Sequence, residues 1–224
     1  MLHKREKIII VCGHYGSGKT NVAVNLALQY KKMHPNTDVA LADMDIVNPY
    51  FRAADAAQEL IDAGIRPVLP AYANSNVDIP SLPPELYSLF LPESETVSFI
   101  DVGGDDGAVA LGMYADQIRA CGYEMLYVVS CYRPLTETPE EAAELMRVIE
   151  EAARLKCTGI INNSSLGGET TAEIVAASIP YAHACADACG IPLLYTSYYE
   201  ALLPDFALPG EALLPMNNVT KQMF

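Results

Sequence analysis

The chain has 224 residues, and its 14 lysines and arginines against 28 aspartates and glutamates leave a formal net charge of −14. At about 100–200 residues per domain this predicts a single domain over 1–224, and a hydrophobic content of 51% excludes a disordered chain. So acidic a chain repels phosphate backbones, which excludes general nucleic-acid binding.

In chain order, His3-Lys4-Arg5-Glu6-Lys7 precedes the apolar run Ile8-Ile9-Ile10-Val11-Cys12. That run is too short for the core of a secretory signal, and glycines follow it in place of a small-residue cleavage site. The basic residues read as a solvated lead-in to a first strand. No stretch approaches the ~20 apolar residues of a spanning helix, so the expectation is a cytoplasmic protein with no stable membrane anchor. Strand-length apolar runs at 7–12, 39–42, 97–101, 125–130, 158–161 and 193–195 alternate with longer helical patterns. This alternation predicts an α/β three-layer sandwich with a mostly parallel central sheet and right-handed crossovers. The runs are nearly continuous in Ile, Val, Leu and Tyr, as strands covered on both faces require.

The stretch 63–94 differs in texture. Pro67, Pro70, Pro80, Pro83, Pro84 and Pro92, with Asn74, Ser75 and Asn76 among them, predict an irregular excursion with a short strand near Val68 and a short helix near 84–90. Further on, Thr138-Pro139-Glu140-Glu141 combines a threonine cap, proline at the first helical position and a glutamate three residues after the cap. Thr170 and Glu173 repeat the capping-box spacing. Cysteines at 12, 121, 131, 157, 185 and 189 form no CxxC pair and predict reduced, buried thiols. After Pro204 the chain is again proline-punctuated and shows no basic amphipathic face.

The most specific motif is Gly13-His14-Tyr15-Gly16-Ser17-Gly18-Lys19-Thr20, a full match to G-x-x-x-x-G-K-[ST] between a strand and a helix running through Val22, Leu26 and Tyr30. Gly13, Gly16 and Gly18 let the backbone wrap an anion so that successive N–H groups, including that of Ser17, point inward. The helix N-terminus adds its positive dipole end. Lys19 then reaches the β- and γ-phosphates, and the Thr20 hydroxyl is a ligand for Mg²⁺.

Two acidic clusters end neighbouring strands. Asp43-Met44-Asp45 runs into Asn48-Pro49-Tyr50-Phe51-Arg52, and Asp101-Val102-Gly103-Gly104-Asp105 ends the third strand. Ligands of open parallel sheets sit beyond the carboxyl ends of the strands, so these carboxylates arrive on the rim that carries the phosphate loop. There Asp101 orients Mg²⁺ through a coordinated water, and Gly104 offers a backbone N–H to the γ-phosphate. Helix capping or loop solvation is the competing explanation for these aspartates. Arg52 and Arg133 stand in strand-end loops, where a phosphate or carboxylate role competes with surface ion pairs.

Together these segments resemble the MinD/ParA-type P-loop ATPases of the cobyrinate/MinD/ParA nucleotide-binding superfamily, in a variant without the signature lysine. The resemblance covers most of the chain, through the phosphate loop, the Asp-x-Asp after the second strand, the Asp-x-x-Gly after the third and Gly159-Ile160-Ile161-Asn162. It implies ATP and Mg²⁺ as cofactors, Asp45 as the residue that positions attacking water, and Asn162 as a hydrogen-bond partner of the adenine edge. It also implies a switch that acts on a protein partner, and a homodimer. Gly190-Ile191-Pro192 is similar to the family's entry to its last core strand. The family's lysine after the first loop glycine is His14 here, which leaves the nucleotide-sandwich dimer open. Ala108 stands where the nitrogenase iron protein has a cluster cysteine. The loop is also similar to that of nickel-inserting GTPases, but Asn162-Asn163-Ser164-Ser165 lacks their Asn-Lys-x-Asp. An ATP-dependent ligase or transferase acting on a small carboxylate, and a GTPase-like metal-centre maturation factor, remain the alternatives.

Overall fold

The computed structural model describes residues 7–44, 56–68 and 84–219. Eight strands form one sheet in the order β3-β2-β4-β1-β5-β6-β7-β8, and every neighbouring pair is parallel. The strands are β1 (Ile8–Gly13), β2 (Val39–Asp43), β3 (Ile65–Val68), β4 (Val97–Asp101), β5 (Tyr123–Val129), β6 (Gly159–Asn162), β7 (Leu193–Tyr199) and β8 (Leu213–Met216). The helices are α1 (Lys19–Met33), α2 (Ala57–Asp62), α3 (Pro84–Ser88), α4 (Gly104–Gly112), α5 (Ala115–Cys121), α6 (Pro139–Ala153), α7 (Ala172–Ala177) and α8 (Ile179–Cys189).

The period-2 alternation of strand side chains divides the core into two layers. On one face Ile8, Ile10, Cys12, Met125 and Tyr127 pack with α3, α4, α5, α6 and α8. On the other, Ile9, Val11, Leu41, Phe99 and Val128 pack with α1 and α2. Burial on both faces is why these strands are apolar throughout, as the three-layer expectation requires. Among the described residues no helix is long and apolar enough to cross a membrane.

At the head of α6, the Thr138 hydroxyl accepts from Glu141 N while the Glu141 carboxylate accepts from Thr138 N, which is the capping box read from the sequence. Ahead of α7 the expected cap moves by one residue. Thr171 accepts from Ile174 N, because the Thr170 hydroxyl is turned back to accept from Leu166 N and donate to the Gly167 carbonyl. The short strand and helix expected near Val68 and 84–90 are β3 and α3; the rest of the proline-rich stretch lies outside the described residues. β7 runs to Tyr199, past the expected 195, and is not the last strand. β8 pairs with it in parallel, Thr196 opposite Leu213. Its Pro215 makes it read as loop, yet proline is tolerated on an edge strand, where one side of the backbone has no ladder partner.

Candidate functional site

β1 lies between β4 and β5, and the chain turns to opposite sides of it before and after β4. The carboxyl end of β1 is therefore the crevice of the sheet, and the phosphate loop occupies it. Gly13 has φ +148 and its missing Cβ would stand 2.5 Å from the Val128 carbonyl of the adjacent strand. Gly18 has φ +82, and a Cβ there would collide with the Asn163 amide. No other residue meets both demands. Ser17 N donates to the His14 carbonyl at 3.2 Å, and Val22 N to that of Gly18 at 3.1 Å, where α1 begins. The first turn of α1 carries no acidic residue, so nothing on the helix offsets the positive end of its dipole.

Lys19 is 8% exposed, and its Nζ reaches back across the loop to the His14 carbonyl at 3.0 Å. Thr20, half-buried, follows it on α1. Ser17 Oγ and His14 Nδ1 are buried and find no hydrogen-bond partner among the described residues. Buried polar atoms almost always have partners, so two such atoms in one glycine-rich loop suit a polar ligand. The donor set, made of loop N–H groups, Lys19 and a helix start, suits an anion.

The strand-end acids are brought together by register. Asp101 pairs opposite Val11 of β1 on one side and opposite Asp43 of β2 on the other, and Met44 N donates to the Asp101 carbonyl at 2.8 Å. Asp101 is 2% exposed. Carboxylate and hydroxyl oxygens, as Asp101 and Thr20 offer, are the hard donor type that Mg²⁺ takes. Gly104 opens α4 with φ +42 and nothing within 4 Å of its Cβ position, so its backbone can be approached closely. Asp45 and Arg52 lie outside the described residues.

At the end of β6 two adjacent asparagines take different partners. Asn162 is fully buried, and its amide is spent internally. Nδ2 donates to Ser178 Oγ at 2.8 Å and Thr196 Oγ1 at 3.4 Å, while Oδ1 accepts from the Ser164 hydroxyl at 2.7 Å and Ser164 N at 3.3 Å. The next residue is the one that meets the loop. Asn163 Nδ2 donates to the Ser17 carbonyl at 2.7 Å, and its Oδ1 accepts from Ser197 Oγ at 2.5 Å. Asn163 and Ser197 were not singled out in the sequence; the Asn162-Asn163 doublet at a strand end was the available signal, and alternation decides which of the two faces the loop.

Arg133 lies against the loop as well. Its Nε, Cδ and Cζ stand 3.7–3.8 Å from the Cβ position of Gly16, which has φ +76. Of the two tyrosines that end β7, Tyr199 is core, its hydroxyl accepting from Asn21 Nδ2 of α1 at 2.9 Å, and Tyr198 packs on Phe206. An open cleft of about 570 Å³ lies on the same sheet edge, lined by Ala172, Glu173 and Ala176 of α7 and by Leu202, Pro204 and Phe206 after β7.

All six cysteines are free. The sulfurs of Cys12 and Cys157 are 4.0 Å apart, and both residues lie with Cys185 in the layer beneath α6 and α8. Contact with the Cys12 thiol together with burial pushes the Cys157 thiol well up, and burial pushes that of Cys185 to about 11. These are neutral core thiols at physiological pH rather than ready thiolates.

No protein-family model matches this chain, and no curated protein matches it. Solved structures do. The signal recognition particle receptor FtsY of Elizabethkingia anophelis is similar at 19% identity and a TM-score of 0.50, over 97% of this chain and 64% of that one. Chloroplast FtsY of Physcomitrella patens gives 17% and 0.55, over 87% and 59%. The cell division protein FtsY of Thermotoga maritima gives 21% and 0.51, over 87% and 62%. The chain thus spans about three fifths of the length of these structures. At such identities the likeness shows the fold alone, an α/β fold that this chain shares with the FtsY structures.

Proposed function

We propose that this protein binds and hydrolyses a nucleoside triphosphate, ATP in preference to GTP, in a Mg²⁺-dependent reaction that switches the loops after β2 and β4 for a protein partner. The observation that carries the reading is Lys19 Nζ drawn across a loop of left-handed glycines to the His14 carbonyl. An ammonium that bonds a loop carbonyl can exchange that bond for phosphate oxygens, and gains a charge-assisted contact.

In this reading the N–H groups of Gly16, Ser17, Gly18 and Lys19 hold the β-phosphate, with Gly13 making the turn that lets them converge. Lys19 bridges the β- and γ-phosphates. Mg²⁺ held by Thr20 and, through water, by Asp101 would neutralise charge that develops between those phosphates. Asp45 orients a water in line with the γ-phosphorus. As its oxygen bonds to phosphorus, the bond to the β,γ-bridging oxygen breaks and the water's proton passes to the released phosphate. The Gly104 N–H donates to the γ-phosphate and loses that contact after cleavage, which is how α4 would sense the reaction. These residues act by position and charge rather than by covalent chemistry.

Adenine is favoured by the chemistry after β6. Asn162-Asn163-Ser164-Ser165 has neither the lysine nor the aspartate of the Asn-Lys-x-Asp that reads guanine. Asn162 contributes to the base site by fixing the β6 loop through Ser164 and Ser178, and Asn163 lies nearer the loop. A second reading, phosphoryl transfer to a small carboxylic acid, draws on the cleft between α7 and the segment after β7.

Isothermal titration with Mg–ATP and Mg–GTP, with Lys19→Ala as control, tests the reading. ATP should bind and the variant should lose about 3 kcal/mol, roughly a hundredfold. Tighter GTP binding overturns the adenine assignment, and binding of neither nucleotide overturns the site. Asp45→Asn should keep ATP bound but abolish turnover, and a small carboxylic acid that stimulates turnover more than any protein would favour the second reading.

A further inference from the structure

A strongly acidic chain that binds a polyphosphate needs cations at the binding rim, and the topology leaves few. Of its 14 lysines and arginines, Lys4, Arg5, Arg52 and Lys221 lie outside the described residues. Lys7 ahead of β1, Lys31 and Lys32 at the end of α1, Arg119 in α5 and Arg154 and Lys156 ahead of β6 all sit at the amino edge of the sheet. Arg66 and Arg147 lie within β3 and α6. Among the described residues, Lys19 and Arg133 are the two cations at the carboxyl edge.

The loop that carries Arg133 is built to hold it there. It leaves β5 at Val129 and enters α6 at Pro139. Thr136, at 0% exposure, donates its hydroxyl to the Ser130 carbonyl at 2.9 Å. Arg133 N donates to the same carbonyl at 3.3 Å. Cys131 N donates to Ser164 Oγ at 3.1 Å, and the Tyr181 hydroxyl donates to the Thr136 carbonyl. Leu135 is held at φ +62, a conformation that a leucine adopts only where its surroundings impose it. Within this frame Arg133 makes no ion pair among the described residues, although acids outnumber bases two to one. Its guanidinium rests instead on Gly16, one residue before the backbone amides of Ser17, Gly18 and Lys19.

We propose that Arg133 is a second cation of the nucleotide site, held in cis against the phosphate loop, and that it contributes affinity in proportion to the charge of the bound phosphate chain. The inference rests on the phosphate-loop reading above. It assigns to the β5–α6 loop a positive charge at the phosphate loop besides that of Lys19. The substrate class that follows is the nucleoside di- or triphosphate; a monophosphate would gain little from this residue.

Titration of Mg–ATP, Mg–ADP and AMP into wild type, Arg133→Gln and Arg133→Lys tests this. Arg133→Gln should bind Mg–ATP roughly tenfold more weakly and Mg–ADP less so, with AMP unaffected. Its log Kd should depend less steeply on log salt than that of the wild type. Arg133→Lys should recover most of the loss, and all three proteins should unfold at the same urea concentration without nucleotide. An unchanged affinity in Arg133→Gln, or an equal loss in Arg133→Lys, overturns the role of Arg133 while leaving the phosphate loop standing if Lys19→Ala still abolishes binding. A wild type that binds none of the nucleotides overturns the underlying reading and this one with it.

Discussion

Asn163 and Ser17 are 146 positions apart, yet the amide of one donates to the backbone carbonyl of the other at 2.7 Å. The phosphate loop is thereby tied to the ends of β6 and β7, because Ser197 closes the other side of the same amide at 2.5 Å. All three residues are at most 5% exposed. A loop that must keep its amides convergent is thus braced from outside its own sequence, and the Asn163 contact explains why position 18 is glycine.

Asn163→Ala should take a partner from the buried Ser17 carbonyl and leave the Ser197 hydroxyl only its 3.2 Å bond to the Asn162 carbonyl, at a cost of about 1–3 kcal/mol. Urea unfolding of wild type, Asn163→Ala, Ser197→Ala and the double variant measures it. The double variant should lose less than the sum of the two singles, since the two residues share one network; strict additivity would remove the brace from the account.

A second long-range tie joins α1 to the segment after β8. Asn25 Nδ2 donates to the Asn217 carbonyl at 2.9 Å while Asn217 N donates to Asn25 Oδ1 at 2.8 Å. One turn to either side, the Val219 amide donates to Asn21 Oδ1 at 3.1 Å and Gln29 donates to the Pro215 carbonyl at 2.5 Å. Asn25→Ala should cost about 2 kcal/mol. Hydrogen exchange at the Asn217 and Val219 amides should speed up in the variant by more than at the β1 amides, and uniform exchange rates would show that the edge is not docked through this pair.

Core thiols should make stability fall at high pH. Burial raises the Cys185 thiol from 9.0 to about 11, and the Cys157 thiol is raised as well. Above pH 9 the unfolded chain loses these protons while the folded chain keeps them, so stability should be level below pH 9 and decline up to about pH 11. Urea midpoints across that range check this, and Cys185→Ala should flatten the decline. A midpoint that rises with pH there contradicts the assignment of these thiols to the core.

What the sequence determined by itself is what short-range chemistry specifies. The phosphate loop, the parallel strands around it and the Thr138 cap are legible because glycine conformation, apolar runs and capping spacing act within a few residues. The acids at the ends of β2 and β4 could be placed on the rim for the same reason, since a parallel sheet points all its strand ends one way. Thr171 as the α7 cap, β8 with its internal proline, the choice of Asn163 over Asn162 as the loop's partner, and Arg133 resting on Gly16 are different. Each depends on which backbone groups arrive from a hundred or more residues away or are already taken by a neighbour: Thr170 is spent on Leu166 and Gly167, and Asn162 on Ser164, Ser178 and Thr196. The turn at 166–170 settles Thr170 locally, but only the packed sheet brings Ser178 and Thr196 to Asn162, Ser17 to Asn163 and Gly16 to Arg133, so there the tertiary structure decides between adjacent residues of the same chemical type.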